Sequence, residues 1–465
     1  MMGTKQLWQL NAVEMLSAYA ARRLSPVEVM EAILARAAAV NPAINALFHI
    51  VPESALEQAR ASETRWAAGS PTGLLDGVPV SVKDSIAVAG MPYWRGSKAY
   101  MQRPNPTYDS PPAARLKEAG AIIFAKTTMP DLGMLGAGVS SAHGITRNPW
   151  NVAFNTAGSS SGGAAAVAGG IGPLTVGSDI GGSVRLPAAL CGLASIKPTQ
   201  GRIPHLPPSP IRSAGPLART VEDTALLLSV LARPDARDYG SLPPEQIAYH
   251  ERLADSVAGL KLGLFLESGF GMSAEPAVVD AIETAAACLS AAGAEIVRLP
   301  ALIDIDISAA FNLVFAVRTR IELDAMSPDA RSGVHAAVLQ LAASADKISA
   351  IELGHAYDQI ERLKAGVIAV SAKFDYLLSP ATPVVNFPAE AIAPDPDQPL
   401  GWVGFTAAFN QTGQPAAVVC CGFDARGLPI GLQITGNRFD DLGVLSVASV
   451  YEARRGFTIE WPHLS

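Results

Sequence analysis

Cysteine is scarce in this 465-residue chain. The four present, Cys191, Cys288, Cys420 and Cys421, have neither metal-ligand spacing nor the pattern of a disulfide framework, so reduced, mostly buried thiols in a cytoplasmic protein are expected. Charge is low as well. Asp, Glu, Lys and Arg make up 17%, against about 25% in an average domain. With 49% apolar residues, this predicts a large buried interior. No basic run or stripe offsets the net charge of −7, which argues against a nucleic-acid partner. Nor is there a run of the length a membrane span needs, about 20 apolar residues; the most apolar stretch, Ala164 to Val176, is short and rich in glycine, so no membrane role is expected. Residues Met1 to Leu10 lack an apolar signal core, so export is not indicated. No His/Cys/Asp cluster has metal-ligand spacing; no metal and no cofactor are expected.

What is present reads as an α/β chain. Ser25-Pro26-Val27-Glu28 is a capping box with proline at the first helical position, opening a helix that Asn41-Pro42 should end. A second helix is expected from about Pro52 to Ala68, so the first 70 residues read as a helical segment. Val78, Val80 and Val82 then alternate as in a strand, which turns Ser81 and Lys83 to the other face. The local pattern alone would allow a surface lysine on an edge strand. Helix, glycine stop and strand follow one another over 113–126 and again over 276–299, with further strands expected at 260–266, 376–378, 416–420 and 430–434. Such alternation means an α/β sheet. Pro and Gly cluster between Arg233 and Pro244, separating a core at 71–232 from a lobe at 245–465. Residues 303–373 look helical and are placed to act as a cap over a pocket.

The chain's organising stretch is Gly158 to Pro187, two Gly/Ser-rich loops joined by a small-residue segment. Glycine allows backbone to come close to a ligand, so exposed N–H groups at a reacting centre are expected. Gly158-Ser159-Ser160-Ser161-Gly162 fits the nucleophile-elbow pattern with Ser160 as nucleophile, but that elbow must follow a buried strand, and 148–156 is broken by Pro and Asn. A phosphate loop is the other reading of a Gly-rich turn opening a helix, yet no Gly-Lys-Ser/Thr follows. Of the seven histidines only His143 and His205 flank the serine loops. They allow a Ser-His-Asp triad or, more simply, are solvated loop residues.

The whole run resembles the signature of the amidase signature family. Its second half stands as Gly177-Ser178-Asp179-Ile180-Gly181-Gly182-Ser183-Val184-Arg185-Leu186-Pro187, with Ser159 lying 24 positions before Ser183. Lys83 stands in the family's Gly-Val-Pro-x-x-x-Lys-Asp context, and Phe409 to Pro415 and Gly427 to Gln433 are similar too, so the resemblance runs from about Ser17 to Glu452. Two departures are Ala157 and Ser161, where the family's loop more often has glycine.

The resemblance implies an α/β fold of one large domain with a central mixed β-sheet flanked by helices, and a relay in which neutral Lys83 takes a proton from Ser159, Ser159 takes one from Ser183, and Ser183 attacks the carbonyl. The peptide bond before Ser159 is then cis. It implies an oxyanion hole of backbone N–H groups at Ile180, Gly181, Gly182 and Ser183. A free lysine has a pKa of about 10.4, so burial must lower it. Asp179 and Arg185 read as an ion pair shaping the loop, with a substrate-carboxylate clamp as the other use of Arg185, and Ser160 as a loop support. The implied substrates are small-molecule amides, esters or carbamates, cleaved without metal. The alternatives are the glutamine-hydrolysing subunit of a tRNA-dependent amidotransferase and a catalytically silent binding protein. A homodimer is allowed for. Phe311, Leu313, Val314, Phe315 and Val317, with Trp402, Phe405 and Phe409, are expected to line a pocket for neutral aryl or medium-chain acyl groups. Arg318 and Arg320 are the residues that could instead bind an acid.

Overall fold

The computed structural model describes residues 5–245 and 247–464. Met1 to Thr4, part of the N-terminal stretch read for export, lie outside the described residues. The chain opens with three helices, α1 (Ala12–Ala20), α2 (Pro26–Ile44) and α3 (Pro52–Ala67). The capping box forms: Ser25 accepts from the Val27 N–H at 3.0 Å, and Glu28 from the Ser25 N–H at 2.8 Å. Pro42 does not stop α2. It sits in the last turn, and the helix ends two residues later at Ile44, before Asn45 in the left-handed conformation. Proline forfeits one hydrogen bond there, which the last turn tolerates when the flanking face is buried.

The strands are β1 (Leu47–Ile50), β2 (Pro79–Lys83), β3 (Ile122–Thr127), the short ribbons β4 (Val139–Ser140) with β5 (Gly144–Ile145) and β6 (Arg147–Asn148) with β7 (Asn151–Asn155), then β8 (Leu174–Asp179), β9 (Ala194–Lys197), β10 (Ser213–Ala218), β11 (Lys261–Phe265), β12 (Glu295–Leu299), β13 (Tyr376–Pro380), β14 (Ala416–Phe423) and β15 (Pro429–Gly436). Eleven of them form one mixed sheet in the order β1-β3-β2-β8-β10-β9-β14-β15-β13-β11-β12. Strands from both sides of the Arg233–Pro244 segment therefore share this sheet. It is a single large α/β domain.

One face packs under α4 (Pro111–Glu118), with α7 (Val221–Leu231), α8 (Pro276–Ala291) and α14 (Asp441–Arg454) beside it. The other packs under α5 (Ser161–Ala168) and α6 (Arg185–Cys191), with α9 (Ser308–Asp324), α12 (Ala350–Ser371) and α13 (Gly404–Gln411) further along. Between α9 and α12 the chain forms α10 (Pro328–Arg331) and α11 (Ala336–Ala343). Every residue of α5 is buried, which suits a helix of Gly, Ala, Ser and Val with no polar face. A Cβ at Gly162 would collide with Ala46 O and the Thr128 N and Oγ1 atoms, so glycine sets how closely α5 approaches β3. No helix among the described residues is long and apolar enough to cross a membrane.

Candidate active site

The alternation of β2 fixes where Lys83 goes. Val80 and Val82 enter the core on the α4 and α7 face, so Ser81 and Lys83 point to the α5 side. β2 is interior, between β3 and β8, which rules out the edge-strand reading of Lys83. Its Nζ lies 2.8 Å from Ser159 Oγ, 3.0 Å from Ser160 Oγ, and 3.1 Å from both the Ser178 carbonyl and Ser178 Oγ. Lys83 is 1% exposed. Burial is the main cause of a pKa pushed down to about 7; Asp179 and Asp84 act against it, and the positive charge of Arg212 acts with it. A lysine in this setting exchanges its proton near neutrality.

Ser159 reaches Lys83 through a tightly fixed loop. Asn155 Oδ1 accepts from the N–H groups of Ala157 at 2.9 Å and Gly138 at 3.0 Å, while its amide donates to the Ala389 and Ala391 carbonyls. Held this way, Ala157 takes φ +58° without a glycine, and the Gly158–Ser159 peptide is cis. Ser161 opens α5 at an ordinary helical position, so no glycine is required there either. Ser160 N–H donates to the Ser183 carbonyl at 3.1 Å, tying the first loop to the second. Its hydroxyl turns inward to Lys83 and the Ser178 N–H and is buried, away from either cavity described below. The residues ahead of the loop form the β6–β7 ribbon outside the main sheet, so the elbow geometry is absent.

Asp179 organises the second loop. Its carboxylate accepts from Gly182 N–H at 2.7 Å, Val184 N–H at 3.1 Å, Asn410 Nδ2 at 2.9 Å and Arg185 Nε and Nη2 at 3.1 and 3.0 Å. Burial alone would raise its pKa; the adjacent Arg185 charge and these donors override that and hold the carboxyl well below its usual range. Arg185 is wholly buried and gives its remaining donors to Thr406 O (2.9 Å), Gln433 Oε1 (2.8 Å) and Asn410 Oδ1 (2.6 Å). All five N–H groups are used inside the protein, which leaves none for a substrate acid. The geometry also corrects one member of the expected oxyanion hole: Gly182 N–H is taken by Asp179. The N–H groups of Ile180, Gly181 and Ser183 are given to no acceptor among the described residues. Gly182 stands at φ +124°, where a Cβ would collide with Thr406 Oγ1.

Ser183 sits between two adjoining cavities. One is lined by Gly158, Ile180, Gly181, Leu186, Phe311, Phe315 and Val403. The other is lined by Ser85, Arg95, Leu132, Ser159, Ser178 and Arg212. Ser159 and Ser183 both face this second cavity, and no hydrogen bond joins their hydroxyls. Larger voids near Trp8 and Trp461 touch none of the three residues of the implied relay. Of the apolar residues expected at the pocket, Phe311 and Phe315 line it. Leu313, Val314 and Val317 do not, and Trp402, Phe405 and Phe409 are buried core. Arg320 points outward to Asp324 and Asp346.

The histidines correct a second expectation. The side chains of His143 and His205 are buried rather than solvated: His143 Nε2 bonds Asp84 Oδ2 at 3.1 Å beneath Phe48 and Trp94, and neither ring nitrogen of His205 has a partner. Neither ring bonds a serine hydroxyl, so no Ser-His-Asp triad is assembled. All four cysteines are free, three of them buried.

Sequence reasoning gave no role to Ser178, Thr406, Asn410, Gln433, Arg95 or Arg212. The last two carry no local signature, since loops bring them to Ser183 from opposite ends of the core.

Comparison with known proteins places these residues in context. The family model described as Amidase matches residues 28–445. The chain is 34% identical to a glutamyl-tRNA(Gln) amidotransferase subunit of Picosynechococcus sp., over 96% of this chain and 98% of that one. It is 33% identical to an acylamidase of Rhodococcus erythropolis, over 99% and 98%. Among solved structures, a bacterial aryl acylamidase of the amidase signature family superposes with a TM-score of 0.88 at 28% identity, covering 96% of each chain.

Proposed function

The chain belongs to the amidase signature family and is a hydrolase of amide carbon–nitrogen bonds; from that premise we propose that it works through an acyl-enzyme on Ser183, with Ser159 and Lys83 as its proton relay. The observation that carries this reading is a buried lysine, free of any carboxylate within 4 Å among the described residues, 2.8 Å from the hydroxyl of Ser159, which lines one cavity together with Ser183.

Neutral Lys83 draws the Ser159 proton, and Ser159 draws that of Ser183 after rotation of a hydroxyl about its side-chain torsion. Ser183 Oγ then attacks the carbonyl carbon. The oxyanion is received by the unspent N–H groups of Ile180, Gly181 and Ser183, while Gly182, its N–H spent on Asp179, holds the turn. When the C–N bond breaks, the amine leaves with a proton passed back through Ser159. Water completes the cycle by the same route, releasing the acid and restoring the three residues. Esters, anilides and carbamates present the same carbonyl and are candidate substrates.

A fluorophosphonate is expected to add once, on Ser183, as read by peptide mass spectrometry. A label on Ser160, or none, would sink the reading. Among the described residues no three His, Cys, Asp or Glu side chains are grouped to hold a metal ion, and hydrolysis is expected to persist after exhaustive chelation. Loss of activity that zinc restores would overturn that expectation.

One observation favours a second reading, in which the chain hydrolyses glutamine for a larger assembly: glutamyl-tRNA(Gln) amidotransferase subunits are prominent among the relatives. Glutaminase activity that rises with a tRNA-bound partner would favour this alternative.

A further inference from the structure

The second cavity is unusual in its charge. Arg95 is presented by a turn that Asp84 holds, its carboxylate accepting from the Trp94 N–H at 2.9 Å and the Gly96 N–H at 2.8 Å. Its guanidinium pairs with Glu322 through two bonds of 2.9 and 3.1 Å. Arg212 enters from the loop before β10. One of its terminal nitrogens donates to the Pro207 carbonyl at 3.0 Å, while its Nε is buried without a partner. Arg318, on α9, likewise has a buried Nε with no partner. Burial first, then the charges of Arg318 and Arg95, push the Arg212 pKa down to about 10. Three guanidinium groups therefore share one carboxylate. Neither Arg212 nor Arg318 has an ion-pair partner among the described residues. Half-buried charge with unpartnered buried Nε groups suits an anion.

Helix α9 walls the first cavity and carries the charged groups that stand beside Arg95 and Arg212 of the second. Phe311, Phe315, Arg318 and Glu322 are spaced by four, three and four residues, which puts them on one face of the helix. The two rings lie over Gly181, their centroids 4.6 Å apart, and Arg318 and Glu322 continue toward Arg95 and Arg212. The nucleophile thus has an apolar wall on one side and an unmatched positive wall on the other. Ser159 lines the positive side. In the proposed reaction, on which this inference rests, Ser159 is the group that returns a proton to the departing nitrogen, so the amine half of the substrate belongs there.

We propose that the preferred substrate is an amide with an apolar acyl group, seated under Phe311 and Phe315, and an acid group on the leaving amine, received by Arg212 with Arg318 and Arg95 beside it. Hydrolysis adds one water across the C–N bond, giving a carboxylic acid and an amine that keeps its own acid group. The neutral acyl half agrees with the apolar residues legible in the sequence; of the acid half, Arg318 was legible as a residue that could bind an acid, whereas Arg95 and Arg212 were not.

The test compares kcat/KM for three amides: N-octanoylglycine, N-octanoylethylamine and the mono-ethylamide of adipic acid. The first is expected to exceed the second by about 10- to 100-fold, the scale of one charge-assisted contact pair. Arg212→Gln is expected to reduce that ratio toward one, and Arg318→Gln to reduce it in part. Equal or better cleavage of N-octanoylethylamine overturns the proposal, and so does preference for the adipic amide, which carries its acid on the acyl side. Should Arg212→Gln fail to fold, competition by free glycine decides on the wild-type enzyme. Inhibition by glycine that ethylamine does not match supports the proposal, and equal inhibition by the two overturns it. Labelling separates the two levels: a fluorophosphonate adduct on Ser183 with no acid preference sinks this inference alone, whereas absence of the adduct sinks the relay as well.

Discussion

Lys83→Ala is expected to lower kcat/KM for an unactivated amide by about 10²- to 10⁴-fold, the range for loss of a positioned general base. The wild-type enzyme should gain activity as pH rises, with the turn near 7, because the neutral amine is the working form and burial places its proton loss there. The sign follows from the charge: lowering pH protonates Lys83 and removes the base. In the variant that limb should vanish, since the group that titrates is gone. Lys83→Met serves as the companion, as it fills more of the space with an unbranched side chain and separates lost chemistry from a cavity left behind. Full activity in either variant, or a wild-type limb that survives both, would exclude Lys83 as the base.

Arg185→Leu is expected to cost about 3–5 kcal/mol of stability, the scale for removing one partner of a buried ion pair. Asp179 would then stay wholly buried without its counter-charge, and Thr406 O, Gln433 Oε1 and Asn410 Oδ1 would each lose a donor. Because the Asp179 carboxyl is held well below its usual range, the pair's contribution is complete above about pH 4. It declines as pH falls below that and is gone once acid passes the depressed value. Denaturant midpoints at neutral pH measure the loss. The double change with Asp179→Asn should cost less than the sum of the two single ones, since the second removes the stranded charge. A loss under about 1 kcal/mol, the level of a surface pair, would contradict this account of the loop.

Elements with a strong period were legible in the sequence. The valines of β2, the helix-glycine-strand runs ending in β3 and β12, and the apolar runs of β14 and β15 lie where alternation and glycine stops place them. Four strands of the same sheet were not. β8 reads Leu-Thr-Val-Gly-Ser-Asp and β10 reads Ser-Ala-Gly-Pro-Leu-Ala, small residues with a proline that argues against a central strand. The sheet accommodates Pro216 because β10 pairs with β8 along its whole length while β9 joins only at Leu217 and Ala218. β1 and β9 span only four residues each, too few to display a period. The lysine and serines of the site were legible only through a resemblance. Spacing alone left a hydrolase elbow, a phosphate loop and a histidine triad in play, and burial of Ser160, His143 and His205 is a tertiary fact that local pattern does not carry.

Arg185 has a consequence for the chain's own synthesis. Its partners Thr406, Asn410 and Gln433 lie 221, 225 and 248 residues further along. A ribosome adding about 5–20 residues per second makes Gln433 some 10–50 s after Arg185. Throughout that interval the nascent polypeptide already contains Lys83, Ser159 and Ser183, yet Arg185 lacks its Thr406, Asn410 and Gln433 acceptors, and β9 has no β14 to pair with. The growing chain is thus expected to be inert toward amides until its last strands emerge.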